Sequence, residues 1–206
     1  MRLFRPGFIA GFLYPEALFR IKTSEKVLCL TFDDGPHPDT TFKLLDILDN
    51  HNVKALFFCN GSAAEKYPDL IDLICSSGHM VGNHGYSHFD GWRTSAGKYI
   101  SDTIRASTFT SSVLFRPPYG RLNLTQYRVL AKRFKIFFWD LMPYDFDKKF
   151  GRTNSLMVLK KKIRPGSLIV LHDKAESVAE SLLGEFIEYA AGEGYRFVLP
   201  SLSGKE

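Results

Sequence analysis

Cysteine is scarce in this chain. Cys29, Cys59 and Cys75 are the three in 206 residues, none form a CxxC pair, and an odd number excludes a complete disulfide framework. Each stands among apolar neighbours, so free, buried thiols are expected. Repeats, low-complexity tracts and linker-like stretches are absent, which excludes a solenoid or a string of tethered modules. No apolar run approaches the roughly 20 residues that cross a bilayer. No nucleic-acid-binding module is present. The net charge of +5 comes from scattered groups such as Lys132, Arg133 and Lys135, Lys148, Lys149 and Arg152, or Lys160, Lys161, Lys162 and Arg164. These read as solvated faces with a weak pull toward an anionic polymer or a membrane surface. What remains is ordinary for a soluble globular protein: 45% hydrophobic and 24% charged residues, and a length suited to one domain with a proper core.

The N-terminal stretch MRLFRPGFIAGFLYPEALFR has two arginines and then a short apolar run from Gly7 to Tyr14. Pro6 and Pro15 bracket the run, and no small-x-small cleavage site follows, so it does not read as a signal peptide. Residues 1–26 are expected to form an arm packed on the body, with a membrane-surface contact as the lesser alternative. A cytoplasmic or membrane-peripheral location is favoured over secretion. Residues 27–206 form the expected domain.

Apolar runs of strand character fall at 27–32, 54–59, 79–83, 113–116, 135–139, 167–172 and 196–199. Helical patterns lie between them, at 40–50 (Phe42, Leu45 and Leu48 on one face), 68–76, 96–107, 124–131, 155–162 and 177–191. Seven strands alternating with helices imply a parallel sheet, either open and doubly wound or closed into a barrel. In both architectures ligands bind beyond the carboxyl ends of the strands. The reactive residues gather there: Asp33 and Asp34 after the first run, His84 and His88 after the third, Arg116 and Tyr119 at the fourth, Asp140 and Asp145 after the fifth, His172 and Asp173 at the sixth.

In NHGYSH, His84 and His88 are spaced to reach one ion. With an acidic strand end they make a mixed nitrogen–oxygen set suited to Zn²⁺, with Co²⁺, Ni²⁺ or Mn²⁺ as options, and three protein ligands leave positions open for water and substrate. A cation also explains the adjacent Asp33 and Asp34 of LTFDDGPHPDT: it offsets their repulsion, and neighbours on an extended chain point apart, so one can bind metal while the other serves as general base. Alone, an Asp-Asp-Gly sequence is an ordinary turn. In LFRPPYGR the prolines have no N–H, so Tyr119 offers the first amide donor after the strand, while Arg116 can clamp a carboxylate. His172, closing SLIVLHD, is a natural proton donor if Asp145 or Asp173 orients it.

TFDDGPH, HGYSH, FRPPYG, YDF and IVLHD, in this order, resemble the NodB-homology polysaccharide deacetylases, carbohydrate esterase family 4. The matching motifs run from Thr31 to Asp173, and TFDDGP is the most specific of them. The resemblance implies a single-domain α/β fold, a distorted (β/α)7 TIM-like barrel. It implies a metal-dependent hydrolase that removes the N-acetyl group from N-acetylglucosamine-type sugars (peptidoglycan, chitooligosaccharide or an envelope glycan precursor). The alternatives are an O-acetyl esterase of xylan type and a non-catalytic glycan-binding module. Residue by residue it implies Asp33 as base, Asp34, His84 and His88 as metal ligands, Arg116 as the clamp on the base, the Tyr119 amide for the oxyanion, Asp145 as tuner of His172, and His172 as general acid. The implied partner is an acetylated glycan; Trp92, Trp139, Tyr144 and Phe146 are candidates to stack on sugar rings and Tyr119 is a further candidate for substrate contact, although with 18 Phe in the chain most aromatics are core. The chain departs from the family pattern at Gly85, where Ser or Thr is usual, at Met142, in place of an aspartate, and at Phe146, in place of a tryptophan. These departures bear on the groove wall and on substrate identity more than on catalysis.

Overall fold

The computed structural model describes residues 2–7 and 9–201; Met1 and Phe8 of the expected arm, and residues 202–206 of the expected domain, lie outside that range. The seven expected strands are present, as β1 (Val27–Asp33), β2 (Leu56–Cys59), β3 (Met80–Asn83), β4 (Leu114–Phe115), β5 (Lys135–Ile136), β6 (Ser167–His172) and β7 (Arg196–Phe197). All pairings are parallel, in the order β5-β4-β3-β2-β1-β6, and β7 joins the start of β1. The helices are α1 (Ile9–Leu13), α2 (Thr41–Asn50), α3 (Gly61–Lys66), α4 (Pro68–Ser76), α5 (Ala96–Thr110), α6 (Leu124–Leu130), α7 (Gly151–Lys162) and α8 (Ala179–Gly192). None is long and apolar enough to cross a membrane, among the described residues.

β1 is buried along its whole length, with β2 on one side and β6 on the other. Its period of two sorts the side chains. Leu28, Leu30 and Phe32 face the helical layer, where they join Leu44, Leu48, Leu182, Leu183 and Phe186. Cys29 belongs to a separate inner cluster with Leu56, Phe58, Leu114, Phe137 and Leu168. Thr31 and Asp33 share the parity of Cys29, so the barrel interior carries a column that becomes more polar toward the carboxyl end.

Three local expectations need correction. α2 buries Thr41, Leu44, Leu45 and Leu48, and Phe42 is 54% exposed, because the inward stripe runs through 41, 44, 45 and 48. Cys75 is exposed, since α4 turns Leu70, Ile71 and Ile74 inward; Cys29 and Cys59 are buried. The fifth strand stops at Ile136 rather than 139. Beyond it, single bridges join Phe137 to Leu18 and Leu141 to Ile169. Residues 18–21 thus sit in the seam between β5 and β6: Leu18 N–H donates to the Ile136 carbonyl at 2.8 Å, and Ile21 N–H to the Gly166 carbonyl at 2.9 Å.

Candidate active site

Arg116 stands one residue past β4, its N–H donating to the Asn83 carbonyl at 2.9 Å. Its guanidinium is buried in the barrel. Nη1 donates to Thr31 Oγ1 at 2.6 Å and to Asp33 Oδ1 at 2.7 Å, Nη2 donates to the Phe138 carbonyl at 2.9 Å, and the group lies 4.2 Å from the Phe58 ring centre. A planar, always-charged fork can bridge strands in this way, where a lysine cannot.

Asp34 follows with φ of 80°, in the left-handed region that few side chains adopt. His88, Tyr119 and Tyr144 share that conformation at 53°, 58° and 61°, so four of the six such non-glycine residues described surround this site. Asp34 Oδ1 lies 3.1 Å from His88 Nε2 and 3.6 Å from His84 Nε2. Gly85, at φ of 75°, lets the loop double back, and Asp102 accepts the Tyr86 and Ser87 N–H groups at 2.9 and 3.1 Å. The departure at Gly85 therefore has a backbone reason. His84 Nδ1 donates to the Arg116 carbonyl at 2.8 Å, which leaves Nε2 as the lone-pair nitrogen facing Asp34. Burial, aided by His88 and Arg116 and opposed by the two aspartates, pushes its pKa down to about 4, so the ring is neutral at neutral pH. For Asp34, burial works against ionisation, but the hydrogen bond from His88 and the fields of His84, His172 and Lys174 hold the carboxyl far below the usual range. One ligand atom from each of Asp34, His84 and His88 lies within 4.8 Å of the others. A carboxylate and two imidazoles fit a borderline divalent cation such as Zn²⁺.

At the end of β6, His172 is the register partner of Asp33. Of the two candidates for orienting it, Asp145 does so: Oδ1 accepts from His172 Nδ1 at 3.0 Å, and Oδ2 accepts from its backbone N–H at 2.8 Å and from Ser177 Oγ at 2.6 Å. Asp173 instead takes the Thr40 and Thr41 hydroxyls, both at 2.5 Å. Burial alone lowers the His172 pKa, but the charge and hydrogen bond of Asp145, with Asp34 and Asp33 nearby, carry it above its ordinary value. Asp140 stays away from the site. It pairs with Arg164 and accepts from Ser167 Oγ at 2.6 Å at the opposite end of β6, so its place after a strand run was misleading.

These groups floor a cleft of about 740 Å³, lined also by Tyr119, Trp139, Met142, Tyr144, Phe146 and Lys174 and by Leu3, Ile9 and Leu13 of the arm. At its mouth Gly120 and Arg121 N–H groups close back on the Pro117 and Pro118 carbonyls at 3.0 and 3.1 Å, while the Tyr119 N–H enters neither bond. The Tyr119 ring is 59% exposed and packs 4.6 Å from His88. Phe146 meets the His172 ring edge-on at 4.7 Å. Tyr144 turns only its ring toward the cleft, because its hydroxyl bonds the Leu3 N–H and carbonyl at 2.9 and 3.0 Å. Met142 N–H likewise donates to Phe4, so the loop that departs from the family pattern is the one the arm packs on. Sequence reasoning missed Lys174, whose Nζ stands 2.8 Å from Asp34 Oδ2. A lysine after His-Asp carries no signal of its own.

The polysaccharide deacetylase family model matches residues 20–135. A peptidoglycan-N-acetylglucosamine deacetylase of Bacillus cereus is 33% identical over 186 residues, covering 85% of this chain and 67% of that one. The peptidoglycan-N-acetylmuramic acid deacetylase PdaC of Bacillus subtilis is 34% identical over 187 residues, covering 88% of this chain and 39% of its own longer one. Among solved structures, the Bc1960 peptidoglycan N-acetylglucosamine deacetylase superposes with a TM-score of 0.86 at 30% identity, covering 94% of each chain. Fold, site and similarity agree: the chain belongs to the NodB-homology polysaccharide deacetylases of carbohydrate esterase family 4.

Proposed function

We propose that this protein is a divalent-metal-dependent amidase that removes the acetyl group from N-acetylglucosamine-type sugars of a glycan, releasing acetate. The observation that carries this reading is the pair of oriented proton-transfer groups beside one candidate ion site. Asp33 is held by Arg116, His172 is held by Asp145, and they face each other in register at the ends of β1 and β6. A glycan-binding module has no use for such a pair. The relatives that act on peptidoglycan N-acetylglucosamine and N-acetylmuramic acid support an N-acetylated amino sugar as substrate.

Asp34, His84 and His88 would hold the ion, which when bound polarises the acetyl carbonyl and makes water more acidic. Arg116 engages Oδ1 of Asp33 and leaves Oδ2 to take a proton from the attacking water as its oxygen adds to the carbonyl carbon. The Tyr119 N–H is the donor for the oxygen that becomes negative. His172, its Nδ1–H fixed on Asp145, delivers a proton from Nε2 to the sugar nitrogen as the carbon–nitrogen bond breaks. Acetate and the free amine are the products.

The test is acetate release from chitooligosaccharides, peptidoglycan and acetylxylan, by protein stripped with chelator and reloaded with Zn²⁺ or Co²⁺. Metal-restored release from an N-acetylated glycan is expected. Release from acetylxylan alone, or equal release without metal, would overturn the reading.

A further inference from the structure

Lys174 is held beside the candidate ion site by its surroundings. Asp173, the residue before it, donates its N–H to the Asp33 carbonyl at 2.8 Å, and its carboxylate is taken by Thr40 and Thr41. A Cβ on Gly35 would come 2.2 Å from Asp173 Oδ2, so the turn after Asp34 packs directly on this segment. The backbones that carry Asp34 and Lys174 are thereby tied together. The lysine is 32% exposed and lies 5.5 Å from the Phe146 ring centre on one wall of the cleft.

The two oxygens of Asp34 are divided. Oδ1 faces His88 and His84, and Oδ2 takes the Lys174 ammonium. We propose that Lys174 is a positioning residue that confines Asp34 to one oxygen for the metal and weakens the site's hold on the ion. This rests on the reading of Asp34, His84 and His88 as metal ligands. Two effects act in the same direction. An ammonium bonded to Oδ2 removes the second ligand atom of the carboxylate, and a unit positive charge next to a ligand repels a dication. An ion held by one carboxylate oxygen and two imidazole nitrogens keeps more of its charge, and more open positions, for substrate.

Co²⁺ binding to the chelator-stripped protein tests this, by competition with a chelating dye for affinity and by visible absorption for coordination number. Lys174→Met is expected to bind Co²⁺ about tenfold or more tightly than the unmodified protein, with weaker visible bands as Asp34 supplies a second oxygen. Lys174→Arg, which keeps the cation, is expected to retain the unmodified affinity and spectrum. An unchanged affinity and spectrum in Lys174→Met, or looser binding, overturns the role of Lys174 alone. If the unmodified protein takes up no Co²⁺, the ligand reading falls and the inference falls with it. Circular dichroism of each variant separates either result from misfolding.

Discussion

Arg116 Nη1 stands 2.7 Å from Oδ1 of Asp33, and both side chains are buried. Such a pair rigidifies its carboxylate, and it leaves a bare charge when either partner is removed. Asp33→Asn keeps the shape and the hydrogen-bond capacity but cannot take a proton. Turnover is expected to fall by about 10²- to 10⁴-fold with Co²⁺ affinity little changed, since Asp34 and not Asp33 faces both histidines. Loss of metal together with turnover would show that the two aspartates do not divide the work.

Arg116→Met tests the structural half of the same pair. It strands Asp33 in the barrel and also removes donors from Thr31 and the Phe138 carbonyl. A loss of about 3–5 kcal/mol is expected in urea unfolding of the metal-free protein. A change below about 1 kcal/mol would mean that water reaches Asp33 and the pair is not buried in solution.

As the proposed general acid, His172 is expected to set the alkaline limit of activity. Its folded pKa is raised, against burial, chiefly by Asp145. In the metal-free protein its proton therefore stabilises the fold fully below the unfolded value of ~6.5, and this contribution fades as pH rises through the folded value. A general acid must be protonated, so activity should fall on the same rise. Asp145→Asn removes the charge that opposes burial, and the alkaline limb of kcat should move to lower pH. The His172 ring resonance in the metal-free protein should titrate lower as well. A limb that stays in place would assign it to another group.

The Tyr119 turn depends on its neighbour. Gly120 has φ of 63°, and a Cβ there would sit 2.4 Å from the Trp139 ring. Gly120→Ala must displace either the indole or the turn that presents the Tyr119 N–H. The expected result is a drop in kcat of about 10²- to 10³-fold, the scale of one lost oxyanion donor, with Co²⁺ affinity unchanged. Full activity would remove the Tyr119 amide from the mechanism.

Much of this site was legible in the sequence because charged and imidazole side chains stand at or just after the ends of strand-like runs, at Asp33, His84, Arg116 and His172. A parallel sheet gathers such positions at one end whatever its closure. The same rule failed for Asp140, which looks like a strand-end carboxylate. Past β5 the chain runs against the start of β6, where the Asp140 N–H donates to the Leu168 carbonyl and its carboxylate accepts from Ser167 Oγ. Phe42 and Cys75 were misjudged because their apolar neighbours suit either side of a helix, and packing alone decides which stripe turns inward. Lys174 was invisible for a different reason: its partner is 140 residues away, and no local pattern encodes that distance.

The seam itself was equally silent, since Leu18 and Arg20 close it through backbone bridges that any residue type can make. One glycine gives it a handle. Gly166 lies just before β6 with φ of 76°, its carbonyl accepts the Ile21 N–H at 2.9 Å, and a Cβ would meet the Ile21 carbonyl oxygen at 2.0 Å. Gly166→Ala adds backbone strain and forces the arm out of register between β5 and β6. A loss of at least about 2 kcal/mol is expected from the left-handed conformation and the displaced contacts together. Because the arm also lines the cleft through Leu3, Ile9 and Leu13, hydrogen exchange should quicken at the Leu18 and Ile21 amides before it does so in β1. Uniform quickening across β1 and the seam would mean that the arm and barrel unfold as one unit, and that residues 1–26 are part of the barrel rather than an arm upon it.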